Sequence, residues 1–333
     1  MTIRDVARAA GVSVATVSRA VNESSLVTAA TRQHVAAIAR RLGYMPHGGA
    51  RSLATRRTHT IGVLLPDLYG EFFSEVIRGI DLTVRDVGYH CLVSSARHNG
   101  AQLEAAIRSM LGRVDGVILM SPEFTGEISR RTLHGGFPVV LLNCPSPDPA
   151  FDSLTIANYE GAYDMVRHLA QLGHRRIAII QGAAGNFDAA ERLRGYRAAM
   201  RDAGLAPDSD VEFAGDFTEE SGAEAARAML AMPDRPTAIF AANDCMAIGA
   251  LAALREAGVS VPDQVALGGF DDIPMARYVT PALTSVHVDI SALGERTAAR
   301  LLAKLEGPAD ARRIRDTLPA TLVVRRSCGA LQN

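Results

Sequence analysis

The sequence predicts two kinds of structure in one chain: a small domain of three helices at the N-terminus, followed by a larger two-lobed α/β core. Three observations support this. Up to about residue 46 the apolar residues recur only at helical spacing. From Thr60 onwards, apolar runs of strand length alternate with amphipathic helical windows. At 333 residues, the chain is also too long for one comfortable hydrophobic core.

Two short helices open the small domain. The first has an apolar face formed by Ile3, Val6, Ala7 and Ala10. The second has an apolar face formed by Val14, Val17 and Val21. Gly11 separates the helices and Ser13 stands at the N-cap of the second, which is a helix-turn-helix pattern. The second helix is expected to expose small, polar or basic side chains, namely Ala15, Thr16, Ser18, Arg19 and Asn22. These suit entry into a DNA major groove, although an ordinary helical hairpin would have the same periodicity.

A third helix completes the small domain. Thr28 is its predicted N-cap, and its apolar face comprises Val35, Ile38, Ala39 and Leu42. A basic segment with helical potential follows Gly43 and the turn at Pro46. We therefore divide the chain into a helix-turn-helix domain at 1–46, a linker or hinge helix at 47–58, and a core at 59–333.

The distribution of charge separates the same regions. Residues 1–57 contain nine arginines and two acidic residues, a formal charge of +7, so the remainder carries −8 within a net charge of −1. Acidic residues normally intersperse a solvated basic face, and here they hardly do. The asymmetry therefore favours a polyanion-binding module joined to a different kind of domain.

Composition and motifs exclude several other classes of protein. A hydrophobic content of 48% with 21% charged residues is typical of a soluble globular protein. No apolar run approaches a membrane span and the N-terminus resembles no signal peptide, so we expect a cytoplasmic protein with four reduced cysteines. We find no GxSxG motif, P-loop, Cys–His signature or metal-ligand spacing, and His168 and His174 do not form a metal box. We therefore expect no enzyme activity, no cofactor and no metal.

The core predicts two doubly wound α/β lobes. Its predicted strands lie at Ile61–Leu65, Cys91–Val93, Gly116–Met120, Val139–Leu142, Ile177–Ile180, Val211–Ala214, Thr237–Phe240, Val265–Gly268 and near Thr317–Val324. Ligands of such sheets bind at the carboxyl ends of the strands. The residues that follow predicted strands include Asp67, Tyr69, Phe72, Phe73, Asn143, Arg192, Phe217, Asn243, Asp244, Asp271 and Asp272.

This mixture of side chains suits a polyol. Amide and carboxylate groups pair with hydroxyls, and aromatic rings stack on the apolar face of a sugar. Each residue alone also has a plainer explanation, because Asn243 and Asp271 stand where helix N-caps are expected. Asp271 and Asp272 form a possible acid–base pair as well, although a cap and a ligand acceptor explain them more simply.

Several motifs in order resemble the LacI/GalR family of bacterial transcriptional repressors over essentially the whole chain. They are TIRDVARAAGVSVATVSRAVN, GYMPHGGARSLATRRTHTIGVLLPD, LAQLGHRRIAII, RLRGYRAAM, FAANDCMAIGALAAL and VALGGFDDIPMARYVTPALTSV. The resemblance implies a helix-turn-helix head, a hinge helix and a core like the type I periplasmic binding proteins, acting as a dimer. In that core the N-lobe would be about 59–158 and 290–317, and the C-lobe about 159–289 and 318–333.

The resemblance also assigns the DNA contacts. Val14, Ala15 and Arg19 match positions that read bases, and Leu53 matches the hinge leucine that wedges into the minor groove. The pair Val14-Ala15 is the same as in galactose-type repressors. Positions that contact phosphates are matched by Thr2, Ser13, Thr16, Ser18, Asn22, Thr28 and Thr31. Binding as a homodimer predicts a palindromic operator.

In the core, Arg192, Asn243 and Asp271 match positions that hold sugar hydroxyls in carbohydrate-responsive members. Flanking pocket positions are matched by Asn143, Phe72, Phe73 and Phe217, and Asp67 is added as a further effector-binding candidate. The expected function is a repressor of carbohydrate-utilisation genes under allosteric control by a sugar-like effector. A corepressor-dependent regulator that responds to a non-sugar metabolite remains the alternative.

Two departures from the family pattern bear on this function. The hinge begins His47-Gly48-Gly49, whereas family hinges carry few glycines, so we hypothesise a hinge helix that is unstable without DNA. The crossover segment has Ala157 before Asn158 where the family often has Asp, so any ligand contact through that Asp is lost.

The remaining classes fit less well. A periplasmic sugar-binding protein would need a signal peptide and no basic head. A nucleoid-type DNA binder would not need so large a core. The C-terminal tail is too short for a heptad tetramerisation segment, which favours a dimer.

Overall fold

A computed structural model of the chain describes residues 1–21, 26–45, 57–96, 99–121, 123–133, 136–144, 151–205, 209–307 and 313–330. The described chain forms two compact units. One comprises Met1–Thr60 with Gly112–Asp115, and the other comprises Ile61–Leu111 with Gly116–Asn333. The predicted contacts Asn22 and Leu53, and the start of the hinge at His47-Gly48-Gly49, lie outside the described residues.

Among its described residues, the first unit contains three helices, α1 (Ile3–Ala10), α2 (Val14–Val21) and α3 (Ala29–Arg41). A small apolar core joins them, and its buried members are Val6, Ala7, Ala10, Val17, Ala20, Val27, Val35, Ile38 and Ala39. Gly11 ends α1 in the left-handed region at φ 66°, a conformation that glycine adopts without steric cost. The predicted three-helix head is therefore present.

The second unit contains twelve strands and eight helices among the described residues. The strands are β1 (Thr60–Leu65), β2 (His90–Ser95), β3 (Gly116–Leu119), β4 (Val139–Leu142), β5 (Asp152–Ile156), β6 (Ile177–Ile180), β7 (Glu212–Phe213), β8 (Ala238–Ala241), β9 (Ala266–Asp271), β10 (Thr284–His287), β11 (Arg315–Leu318) and β12 (Thr321–Val323). The helices are α4 (Glu71–Arg85), α5 (Gly100–Met110), α6 (Gly126–Thr132), α7 (Asn158–Gln171), α8 (Phe187–Asp202), α9 (Glu219–Leu230), α10 (Asp244–Glu256) and α11 (Ile290–Glu306).

Two six-stranded sheets divide this unit into lobes. The first sheet has the order β11-β5-β4-β3-β1-β2, and the second has the order β12-β10-β9-β8-β6-β7. The described strand pairs are parallel except β10 with β12. We call the first sheet with α4, α5, α6 and α11 the first lobe, and the second sheet with α7 to α10 the second lobe. The predicted pair of α/β lobes is confirmed.

Parallel strands covered by helices are buried on both faces, which explains their continuous apolar sequences. The four residues of β6 and the four of β4 are all buried. Helix pairs cover the second sheet closely: at Gly222 and Gly249, where α9 meets α10, an added Cβ would collide with the backbone of the opposite helix. No helix within the described ranges is long and apolar enough to cross a membrane.

Three elements of the core were not predicted from the sequence: β5, β10 and α6. The strands β5 and β10 were not predicted because some of their buried positions are polar. Asp152 in β5 is fully buried, and in β10 the same is true of Thr284 and Ser285. Asp152 is held by Arg300 at 3.0 Å and Lys304 at 2.7 Å, both from α11. These partners are distant in sequence, so periodicity could not reveal them.

Candidate functional site

The first candidate site is the outer surface of α2. Ala15 and Arg19 are exposed, and Val14 is 42% exposed. The assignment of Val14 to the apolar face of α2 is therefore wrong: as the first residue of the helix, it lies beyond the packed face that Val17 and Ala20 form. An exposed valine, alanine and arginine give this surface an apolar end and a long cationic donor.

Hydroxyl groups occupy the N-termini of the three helices of the head. Thr2 and Asp5 form a capping box on α1, and the Ser13 hydroxyl accepts the backbone N–H of Thr16 at 3.1 Å. Thr28 accepts the backbone N–H of Thr31 at 3.3 Å, which confirms both predicted N-caps. Each cap leaves other N–H groups of the first turn exposed beside a hydroxyl, an arrangement that suits a phosphate oxygen.

The side chains of Thr16 and Thr31 extend two of these caps. The Thr16 hydroxyl lies 2.9 Å from that of Ser13, and the Thr31 hydroxyl lies 2.9 Å from that of Thr28. Ser18 lies half-buried on α2. Six of the seven predicted phosphate contacts are among the described residues of the head, and five of these six lie at a helix N-terminus.

The second candidate site is a cleft between the two lobes, with a volume of about 990 Å³ including its open mouth. All eight of the predicted effector residues line it: Asp67, Phe72, Phe73, Asn143, Arg192, Phe217, Asn243 and Asp271. They come from the ends of strands in both sheets and from helix N-termini, as the carboxyl-end rule for parallel sheets predicts.

Arg192 lies at the centre of a buried polar network in the cleft and is only 3% exposed. Its Nε donates to Asn158 Oδ1 at 2.8 Å, one Nη donates to the carbonyl of Ala242, and the other donates to Asp271 Oδ1 at 3.1 Å. The guanidinium plane also lies 3.7 Å from the centroid of the Phe270 ring. Each of its three nitrogens therefore has a protein acceptor, while the two terminal nitrogens each keep a further N–H.

Asp271 takes part in the site as the partner of Arg192. The prediction that it might cap a helix is wrong, because the following short 3₁₀ turn begins at Pro274 with no side-chain cap. Asp271 adopts φ 101°, outside the usual range for a residue with a side chain, and is held there by the arginine. Burial raises the pKa of Asp271 to about 6, against the opposing effect of Arg192.

Asp272 is separate from the cleft lining and serves the fold instead. Its carboxylate pairs with Arg325 at 2.6 Å and lies 3.1 Å from Nδ1 of His287. The two neighbouring carboxylates therefore have different partners and do not form an acid–base pair.

Asp188 connects the network to the other lobe. Its Oδ2 accepts from Asn143 Nδ2 at 2.7 Å, and its Oδ1 accepts from Asn158 Nδ2 at 2.7 Å. Asn143 follows β4 of the first lobe, whereas Asp188 lies in the first turn of α8 in the second, so this hydrogen bond spans the cleft. Burial raises the pKa of Asp188 to about 7, although Arg192 acts to lower it.

Asn243 and Phe217 form one wall of the cleft together. The Asn243 carbonyl oxygen accepts the N–H of Met246 at 2.9 Å and caps α10, as predicted, while its amide donates to the carbonyl of Phe217 at 3.0 Å. The Phe217 ring lies against Gly182, where any larger side chain would collide with it. On the first lobe, Phe72 and Phe73 form an edge-to-face pair with centroids 5.5 Å apart.

Sequence reasoning missed several members of the cleft. Asp188 lies directly in the lining, and Asn158 stands behind it, buried at the start of α7. In the sequence, Asn158 stands out only because an alanine precedes it. The sequence signal that could have identified Asp188 is an acidic residue in the first turn of a helix that follows a strand. Acidic residues are common in the first turn of any helix, so this signal alone does not indicate a binding site.

Comparisons with known proteins identify the family of the chain. The model for bacterial regulatory proteins of the lacI family matches residues 2–47, and the periplasmic binding protein-like domain matches residues 166–328. The ribose operon repressor of Escherichia coli (strain K12) is 36% identical over 310 residues, which cover 92% of this chain and 94% of that protein. The chain belongs to the LacI family. It is accordingly a DNA-binding transcriptional repressor and not an enzyme.

Two solved structures are similar over nearly the whole length. The lac repressor dimer bound to operator and the anti-inducer ONPF is 30% identical, with a TM-score of 0.87 and coverage of 99% of each chain. The complex of the transcriptional regulator CelR with cellobiose is 32% identical, with a TM-score of 0.73 and coverage of 98% of this chain and 99% of that chain. The head and the periplasmic-binding-protein-like core expected from the sequence are thus established as the fold.

Proposed function

We propose that this LacI-family repressor binds a palindromic operator as a homodimer and represses carbohydrate-utilisation genes. A small sugar or sugar-like effector, held in the cleft between the lobes, would control it. The observation that carries the effector assignment is the cleft itself. Amides and carboxylates lie beside phenylalanine rings from both lobes, which is the combination that recognises a hydroxylated ring.

The relatives support the same class of effector. One solved relative holds cellobiose and another relative is named as a repressor of the ribose operon. For this chain the effector residues are the eight cleft residues predicted from the sequence. Asp67, whose Oδ1 accepts the N–H of Leu68 at 2.6 Å, contributes to the mouth of the cleft beside Phe72 and Phe73.

The operator contacts are proposed from the head. Val14, Ala15 and Arg19 would read base edges from α2, while Thr2, Ser13, Thr16, Ser18, Asn22, Thr28 and Thr31 would contact phosphates. Leu53 would enter the minor groove from the hinge. The exposure of the first three and the helix-capping hydroxyls of Thr2, Ser13 and Thr28 support this assignment.

Control would work through the angle between the lobes. A ligand that prefers one arrangement of the cleft shifts the dimer towards it, and DNA binding responds through linkage. Cross-cleft contacts such as Asn143 to Asp188 are the ones that a change of angle would make or break.

Two experiments test this function. Selection of binding sites from a random DNA library with the full-length protein is expected to return an inverted repeat, and an asymmetric site or no shared sequence would contradict dimeric operator binding. A thermal-shift screen of sugars tests the cleft, since a ligand at 100 times its Kd stabilises a protein by about 2.7 kcal/mol. Release of the selected operator by that sugar identifies an inducer, whereas tighter binding identifies a corepressor.

A further inference from the structure

The charge of the cleft is strongly one-sided. Its described lining contains four carboxylates, Asp67, Asp188, Asp216 and Asp271, and a single cation, Arg192. A ligand that enters the cleft therefore meets mainly negative side chains. An anionic ligand needs a cationic or N–H partner to offset the loss of its hydration.

The positive charge of Arg192 is already offset by Asp271, although its terminal nitrogens keep N–H groups that could donate to a ligand hydroxyl. Asn158, Ala242 and Asp271 accept from its three nitrogens, and the Phe270 ring covers one face. A phosphate or carboxylate on a ligand would compete with Asp271 for this positive charge. Displacing Asp271 would leave a buried carboxylate without its cation, which is costly.

Helix N-termini also fail to offer a free anion site. The N-terminal residues of α4, α8, α9 and α10 all contribute to the cleft, and helix N-termini attract anions in general. Each of these four helices, however, already carries an acidic side chain in its first turn, from Glu71, Asp188, Glu219 and Asp244 respectively. Three of them are further capped by the side chains of Asn186, Thr218 and Asn243.

One buried oxygen atom in the cleft has no hydrogen-bond donor among the described residues. Asn143 is only 4% exposed and lines the cleft, and its amide nitrogen is committed to Asp188. Its Oδ1 has no hydrogen-bond partner among the described residues. A buried carbonyl oxygen without a donor is costly, and a ligand hydroxyl would remove that cost.

We propose that the cleft selects an uncharged polyol ring over the phosphate ester of the same ring, and that Asp188 is a residue that sets this preference. The ligand hydroxyls donate to Asn143 Oδ1 and to the carboxylates, and the ring stacks on the phenylalanines. At pH 8, above its pKa of about 7, Asp188 places a negative charge in the lining of the cleft, where the one described cation, Arg192, is already paired with Asp271. This inference rests on the proposed sugar-binding function and narrows its class of effector.

Isothermal titration of the full-length protein tests the preference. Glucose, galactose, ribose and cellobiose are each titrated beside their monophosphate esters at pH 8, where the ester carries close to two negative charges. We expect at least one free sugar to bind, and its ester to bind at least about tenfold more weakly. Asp188→Asn removes the charge and one of the two oxygens that accept from Asn143 and Asn158, so the readout is the ratio between sugar and ester, which is expected to fall by about tenfold.

A matched control is Asp234→Asn, because Asp234 is a well exposed acid of the second lobe outside the cleft. It should leave the ratio unchanged, since exposed charges are screened. Equal or tighter binding of an ester by the native protein overturns the proposed preference while leaving the cleft as the effector site. An unchanged ratio in Asp188→Asn overturns the role of Asp188. If neither a sugar nor an ester binds, the effector assignment fails, and this inference fails with it.

Discussion

The head and the cleft solve different physical problems with similar polar residues. In the head, the candidate DNA contacts are exposed or hydrogen-bonded to neighbours three residues away, as Ser13 is to Thr16. In the cleft, four of the eight candidate ligand residues are buried, namely Asn143, Arg192, Asn243 and Asp271, and their bonds reach up to 79 residues along the chain, as from Arg192 to Asp271. Because the hydrogen bonds of the head are local, its DNA-binding surface is already formed in the absence of DNA. The cleft depends on the packing of two lobes, so a change there alters fold and binding together.

Arg192→Ala is expected to have the largest effect, because it should change both the stability of the core and the response to effector. Removing the guanidinium leaves Asp271 and the Asn158 carbonyl buried without their donor, which is expected to destabilise the core by about 3–5 kcal/mol and abolish the response to effector. Urea unfolding measures the first effect and operator release by the effector measures the second. The control is Arg194→Ala on the same helix, whose exposed guanidinium pairs with Glu191 and should cost under about 1 kcal/mol. Equal losses in the two variants would contradict a special role for the buried network.

Arg19→Ala tests the head, where we expect binding to change without loss of fold. The exposed side chain makes no described contact within the core of the head, so stability should be retained. Binding to the selected operator should weaken by about 1–3 kcal/mol while binding to random DNA changes much less. Fluorescence anisotropy on both DNAs measures the two affinities, with Arg8→Ala as a control that removes the same charge from α1. If Arg8→Ala lowers specificity as much, Arg19 does not read bases.

The burial of Asp188 is expected to make the stability of the core depend on pH. Its pKa is raised to about 7 in the folded protein from an ordinary value of 3.8, so the folded state keeps a proton that the unfolded state releases. The stability from this proton is present at low pH and is lost as the pH rises through about 7. Between pH 6 and 8 the native protein should lose on the order of 1 kcal/mol more than Asp188→Asn. Chemical unfolding at the two pH values measures the difference, and parallel pH dependences would contradict it.

The smallest expected effect concerns a cap in the head. Thr28→Ala removes the hydroxyl that accepts the N–H of Thr31 and should destabilise α3 by about 0.5–1 kcal/mol. Thr28→Ser keeps the hydroxyl and should restore most of the stability. Hydrogen exchange of the α3 amides in the full-length protein measures this, while exchange in the core should not change. Faster exchange of the core amides would show that the head and the cleft are less independent than their bonding indicates.

The same contrast explains what the sequence could predict. The helices of the head follow from local periodicity and caps, and the strands β4 and β6 were predicted with their observed bounds because both are wholly apolar. The residues of the cleft were predicted as well, from their positions after strands. Their partners were not, because the bonds of Asp188 to Asn143 and Asn158 are set by the packing of the lobes. A polar strand such as β5 was missed for the same reason.

The described chain passes between the two sheets three times: from β5 to α7, from β10 to α11, and from β11 to β12. Two lobes joined by a single segment of chain could rotate about several axes. Three adjacent connections restrict the lobes to rotation mainly about one axis. Asn158, which bonds both Asp188 and Arg192, lies at the end of the first connection. A molecule that contacts Asp188 or Arg192 in the cleft would therefore be one hydrogen bond away from the chain connection about which the lobes rotate.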